Sequence, residues 1–193
     1  MVDSKLYDVL IYGSGPAGIT LAKKISENKK LNILLIDGGN LRKNKKNFKI
    51  NLVNQINNEI NPINLLKLRE FGGTTNHWGG YCRPYDKHDF YDNSKLTNNK
   101  WPLNFETFSK YELEAKKILN LKNSFEVKSE RNQLERNINT DLGIEEIEFD
   151  YSYRKIFLEK YNSLKNIKNI KIILNQTLKK FVINYDKLSI QKV

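Results

Sequence analysis

The stretch YDVLIYGSGPAG, Tyr7 to Gly18, leaves this chain few folds to choose from. Val9 to Tyr12 is a short apolar run of the kind that forms a strand buried on both faces. The run breaks at Gly13, and Pro16, whose fixed φ suits a first helical turn, predicts a helix start. Ile19, Leu21, Ala22 and Ile25 continue at roughly helical spacing. A second apolar run, NILLID, closes at Asp37. Strand, glycine turn, helix and strand make a βαβ unit. The expected class is α/β, Rossmann-like, with a mostly parallel sheet and helices on both faces.

The glycines read Gly13-x-Gly15-x-x-Gly18. Gly13 permits the tight turn, Gly15 lets a pyrophosphate approach the backbone, and Gly18 lets the helix pack closely on the strand. Ser14, Pro16 and Ala17 complete the loop at a helix N-terminus, whose free N–H groups and dipole attract phosphate. Asp37 follows Gly18 by 19 positions, the spacing expected of an acid that accepts hydrogen bonds from an adenosine ribose. The acid suits an unphosphorylated ribose and leaves NAD and FAD both open.

A second glycine-rich stretch, REFGGTTNHWGGYC, runs from Arg69 to Cys82. A surface loop does not need its tryptophan, and a core element does not tolerate its glycines. Net charge is +11, which raises nucleic acid as a partner. Yet the longest basic runs are pairs such as Arg42-Lys43 and Lys45-Lys46, the pattern of a Lys-rich solvated surface. Cys82 is the only cysteine, and His77 and His88 are the only histidines. That excludes an internal disulfide and a cysteine-based metal site, and no metal is expected. MVDSKLYDVLIYG shows no secretory signal, and no run approaches the roughly 18 apolar residues of a membrane span, so a cytoplasmic protein is expected.

FGGTTNHWGGYCRPYDKHDF resembles the second flavin-contacting segment of the glucose–methanol–choline oxidoreductases, above all the bacterial sugar-oxidising branch and the pyranose oxidases. Three further features follow in that family's order. GSGPAG with Asp37 is similar to its FAD fingerprint, where the acid is more usually Glu. KWPLNFETFSKYELEAKKILNL is similar to its Trp-Pro segment leading into a helix. NIKNIKIILNQTLKKFVIN is similar to the following strand pair, in which Leu178 takes the adenine-contact position.

The resemblance implies FAD as the cofactor. Gly72 and Gly73 would pass close to the pyrophosphate and ribityl chain, with Thr74 and Thr75 donating hydroxyl hydrogen bonds. Asn76, His77 and Trp78 would lie along the isoalloxazine edge, and Gly79 and Gly80 would turn the chain away. His77 matches the histidine that carries flavin covalently in pyranose oxidases, with Asn76 at the threonine position. Trp78 departs from the asparagine many family members have there. The implied activity is oxidation of a CH–OH group, of a sugar or sugar acid, by hydride transfer to flavin N5. The electron acceptor stays open.

Residues 1–82 are expected to form the βαβ unit and flavin loop, 83–165 a mostly helical connection, and 166–193 a returning strand and a hairpin turning at Asn184 to Asp186. Asn104 is expected to cap one helix from about Phe105 to Leu119. The resemblance places the substrate domain and the catalytic histidine beyond Val193. No catalytic residue is therefore expected here, the first strand should have an open edge, and the chain alone should be unstable or aggregate and be inactive. An NAD-dependent dehydrogenase fragment and a basic nucleic-acid-binding or interaction protein are the other readings. The first leaves Gly72 to Gly80 without a role, and the second leaves the βαβ pattern unexplained.

Overall fold

The computed structural model describes residues 6–42, 67–90, 102–121, 149–184 and 189–192. The chain divides into two units, one of residues 1–78 with 154–193 and one of residues 79–153. These boundaries differ from a division after 82 and after 165.

In the first unit β1 (Val9–Tyr12) leads through α1 (Pro16–Ile25) into β2 (Ile33–Ile36). β1 and β2 pair in parallel, Val9 opposite Ile33 and Tyr12 opposite Ile36. β5 (Ile170–Ile173) pairs in parallel with the other side of β2, giving the order β1-β2-β5. Among the described residues the far edge of β1 carries no partner strand. All four residues of β2 are buried, as a central parallel strand requires. Each such side chain contributes about 1.5–3 kcal/mol by leaving water.

α1 begins at Pro16 and ends with Lys23 and Lys24 in its last turn, where their charge complements the helix dipole. Ile19 and Ala22, three apart, are its buried face. α4 (Ile156–Lys165) buries Ile156, Phe157 and Leu164. α1 packs on β1 and β2, α4 packs on β5, and the two helices touch each other. Phe71, fully buried, meets Tyr161 of α4 edge-on at 5.1 Å. Asn169 ties the base of the sheet, its amide donating to the carbonyls of Ser26, Asn28 and Leu31. A hairpin of β6 (Val182–Asn184) and β7 (Ser189–Lys192) follows. Its turn lies outside the described residues.

In the second unit β3 (Tyr81–Cys82) pairs antiparallel with β4 (Asp150–Tyr151). The single helix expected over 105–119 is two, α2 (Phe105–Ser109) and α3 (Glu112–Ile118). Asn104 caps the first as expected, accepting from Thr107 N–H at 2.8 Å. The break follows because Tyr111 N–H bonds three residues back, to Phe108, tightening the turn. Phe108 is held there by an edge contact with Tyr85 and a tilted contact with Phe90. Trp101 lies outside the described residues. No helix among the described residues is long and apolar enough to cross a membrane.

Candidate functional site

At the C-terminal ends of β1 and β2 the two glycine stretches, far apart in sequence, meet inside the first unit. Gly13 sits at φ +106°, a conformation that disfavours any side chain, and its N–H is held by Ile36 O at 2.8 Å. A Cβ on Gly18 would stand 1.9 Å from Gly13 O. This is the close helix–strand packing the pattern predicts. Gly15 differs: a Cβ there would meet nothing within 4 Å, so open space lies before the α1 N-terminus. The second stretch borders that space. Gly72 N–H donates to Ser14 O at 2.7 Å, and a Cβ on Gly73 would lie 3.2 Å from Gly15 Cα.

Gly73–Asn76 forms a turn of 3-10 helix after Gly72 at φ +92°. This turn sorts the side chains that the sequence treats alike. Thr74 and His77 are exposed and Trp78 is half-buried. Thr75 is buried, its hydroxyl donating to Gly72 O at 2.5 Å. Asn76 is buried too, its amide donating to Glu70 Oε2 and Phe71 O. Both side chains brace the turn from inside. The turn packs against α4, and Asn76 keeps one buried polar atom, Oδ1, without a hydrogen-bond partner. Lys155 N–H, just before α4, donates to Thr75 O at 3.3 Å.

Asp37 has a structural duty the sequence did not reveal. Its Oδ2 accepts from Ser14 N–H at 2.6 Å and Ser14 Oγ–H at 2.7 Å, and Oδ1 accepts from Gly39 N–H at 2.6 Å. A carboxylate offers about four acceptor sites, so roughly one is left for a further donor. Ser14, fully buried, is thus the link between the first loop and the end of β2.

Gly38, Gly39, Arg69 and Thr177 were not singled out by sequence. A Cβ on Gly38 would strike Arg69 Nη2 at 1.9 Å, and one on Gly39 would strike the Arg69 carbonyl at 2.2 Å. Arg69 Nη2 donates to Thr177 Oγ1 at 2.8 Å, while its buried Nε has no hydrogen-bond partner. An unmet buried donor costs about 1–3 kcal/mol. Asn175 and Gln176 N–H groups close on Gly39 O and Asp37 O, which brings half-buried Leu178 to the same end of the sheet. The signal available in sequence was the pair Gly38-Gly39 directly after the acid.

Gly79 begins the second unit, where Gly80, at φ +83°, leaves no room for a Cβ, which would lie 2.2 Å from Ser152 O. Arg83 pairs with Asp86. Asp150 is buried on β4 opposite Cys82. A cavity of about 220 Å³ in this unit is lined by Cys82, Tyr85, Phe108, Tyr111 and Leu119 and holds none of the expected site residues. Burial, and then the Asp150 charge, push the Cys82 thiol up from its ordinary range. Less thiolate is therefore present at any given pH. Alkylation of Cys82 by iodoacetamide should be slow at pH 8, and Asp150→Asn should shift the rate–pH midpoint downward. An unshifted profile would remove Asp150 as a cause. Among the described residues no group of acids, cysteines and histidines could hold a metal ion.

No protein-family model matches the sequence, and no curated protein matches it. Solved structures do. A structure of formate oxidase from Aspergillus oryzae RIB40, described for the effect of a mutation on FAD modification, aligns with TM-score 0.53 and 15% identity over 95% of this chain and 41% of that one. Pyridoxine 4-oxidase from Mesorbium loti aligns with TM-score 0.47 and 14% identity, over 88% and 42%. The chain therefore has the fold of the formate oxidase's corresponding part and spans under half of either protein's length.

Proposed function

We propose that this chain supplies the FAD-binding portion of an oxidoreductase acting on a CH–OH group of a sugar or sugar acid. One observation carries the reading: two glycine stretches, Gly13–Gly18 and Gly72–Gly73, converge on one open space at a helix N-terminus. A lone dinucleotide unit has no use for the second stretch. The fold shared with a protein studied for FAD modification supports the flavin over nicotinamide, as does the resemblance of FGGTTNHWGG to the glucose–methanol–choline loop.

The residues present fit such a cofactor. Backbone N–H groups at the start of α1 and the bare Cα of Gly15 and Gly73 would hold the pyrophosphate. The remaining acceptor site of Asp37, with Leu178 nearby, would take the adenosine end. Thr74, His77 and Trp78, which point outward or lie half-buried, would meet the flavin end. The bound flavin would supply hydride acceptance from the substrate carbon, and the protein supplies binding and orientation. The groups that hold and move the substrate proton are proposed to lie outside this chain, as are the substrate contacts.

The test is a titration of the purified chain with FAD, followed by absorbance and flavin-fluorescence quenching. Saturable binding with a yellow complex is expected, and a colourless protein indifferent to FAD would end the proposal. Attachment through His77 is a separate arm: yellow colour retained in the acid-precipitated pellet, and lost in His77→Ala, would establish it.

A further inference from the structure

Three segments distant in sequence close on one point just beyond Asp37. They are Gly38-Gly39 after β2, Arg69 before the second glycine stretch, and Asn175–Thr177 after β5. The guanidinium occupies the volume a side chain at Gly38 would fill, with Nη2, Cζ and Nε at 1.9, 2.8 and 3.4 Å from an ideal Cβ. Thr177 anchors one end of it at 2.8 Å. Among the described residues the Arg69 side chain has no ion-pair partner and no other hydrogen bond, and its buried Nε–H has no acceptor. A guanidinium held this firmly at Gly38, the residue after Asp37, yet with an unspent donor, can accept a partner that also donates to the acid. A hydroxyl does both.

Resting on the FAD reading above, we infer that Arg69 is a specificity residue for the adenosine ribose. A ribose hydroxyl would donate to the free acceptor site of Asp37 and accept from Arg69 Nε–H. Thr177 and the missing side chain of Gly38 position the guanidinium for this. The pairing selects an unmodified ribose, since a sugar lacking the hydroxyls leaves both protein groups unmet.

The probes are ADP and 2′,3′-dideoxy-ADP, titrated by calorimetry into the full chain and into Arg69→Met, with melting curves of the ligand-free proteins as the folding check. The unsubstituted chain should prefer ADP by roughly tenfold or more. Arg69→Met should lose several-fold of that preference at nearly unchanged affinity for the dideoxy ligand, a result that a purely structural arginine would not give. Where Arg69→Met does not fold, Arg69→Lys, which keeps the charge without the Nε–H, and Thr177→Val, which frees the guanidinium, take its place with the same expected loss. FAD and ADP binding with no hydroxyl preference, or with a preference unchanged in the variants, overturns this inference alone. Failure of the unsubstituted chain to bind either FAD or ADP overturns the FAD reading and this one with it.

Discussion

Gly18→Ala should lower the melting temperature of the first unit by roughly 10 °C or abolish its folding, while Gly15→Ala should leave it nearly unchanged. The two glycines belong to one motif but face opposite situations. The added methyl at position 18 would lie 1.9 Å from Gly13 O, with Ile11 Cγ2 at 3.4 Å behind it. Relief requires moving backbone, because Gly13 is fixed by its positive φ and by its bond to Ile36 O. Overpacking of this kind costs about 3 kcal/mol or more, which a chain of this size registers as several degrees per unit of strain. At position 15 the methyl meets nothing and φ is -71°, which alanine adopts without strain. Its effect should appear only when ligand is added, as a loss of FAD affinity of tenfold or more, because the methyl projects into the space proposed for the pyrophosphate. Thermal melts with and without FAD read both effects. Equal stability of the two variants would show that Gly18 is not a packing residue, and unaltered FAD affinity in Gly15→Ala would place the phosphates elsewhere.

The same contrast explains what the sequence could and could not disclose. β1, α1 and β2 are short-range objects, written in an apolar run, a Gly-Pro boundary and a helical period. The return of β5 beside β2 follows from a second apolar run and from the handedness of parallel connections. The inward side chains of Thr75 and Asn76 are different. They depend on a left-handed pair at Gly72 and Gly73 and on partners at Glu70 and Phe71, and consecutive polar residues carry no mark of which way each will point. Arg69 and Thr177 are 108 positions apart, and β3 and β4 are two residues each. Neither has a periodicity to detect, so both exist only once the chain has folded.

Asp37 was legible as an acid at the right spacing, and its larger role suggests the second large effect. Asp37→Ala should destabilise the first unit by roughly 2–4 kcal/mol, because three donors lose one acceptor group and hydrogen bonds to a charged group contribute about 1.5–3 kcal/mol each before allowance for partial exposure. Ser14 is fully buried, so its N–H and hydroxyl cannot turn to water without opening the loop. Asp37→Asn should fall between. Its single amide oxygen can keep the Ser14 pair or the Gly39 N–H but not both, and its NH2 would face a donor at the other site. Ser14→Ala removes the hydroxyl but not the backbone bond and should cost only about 1 kcal/mol. Urea denaturation monitored for the three variants should therefore rank them Asp37→Ala, Asp37→Asn, Ser14→Ala in falling order of lost midpoint, with a constant slope. FAD affinity should follow another order, with Asp37→Asn losing nearly as much as Asp37→Ala, since a ribose hydroxyl needs the carboxylate as its acceptor. If Asp37→Asn matched the unsubstituted chain in both measurements, the charge at this position would be idle, and neither the loop tie nor the ribose contact would stand.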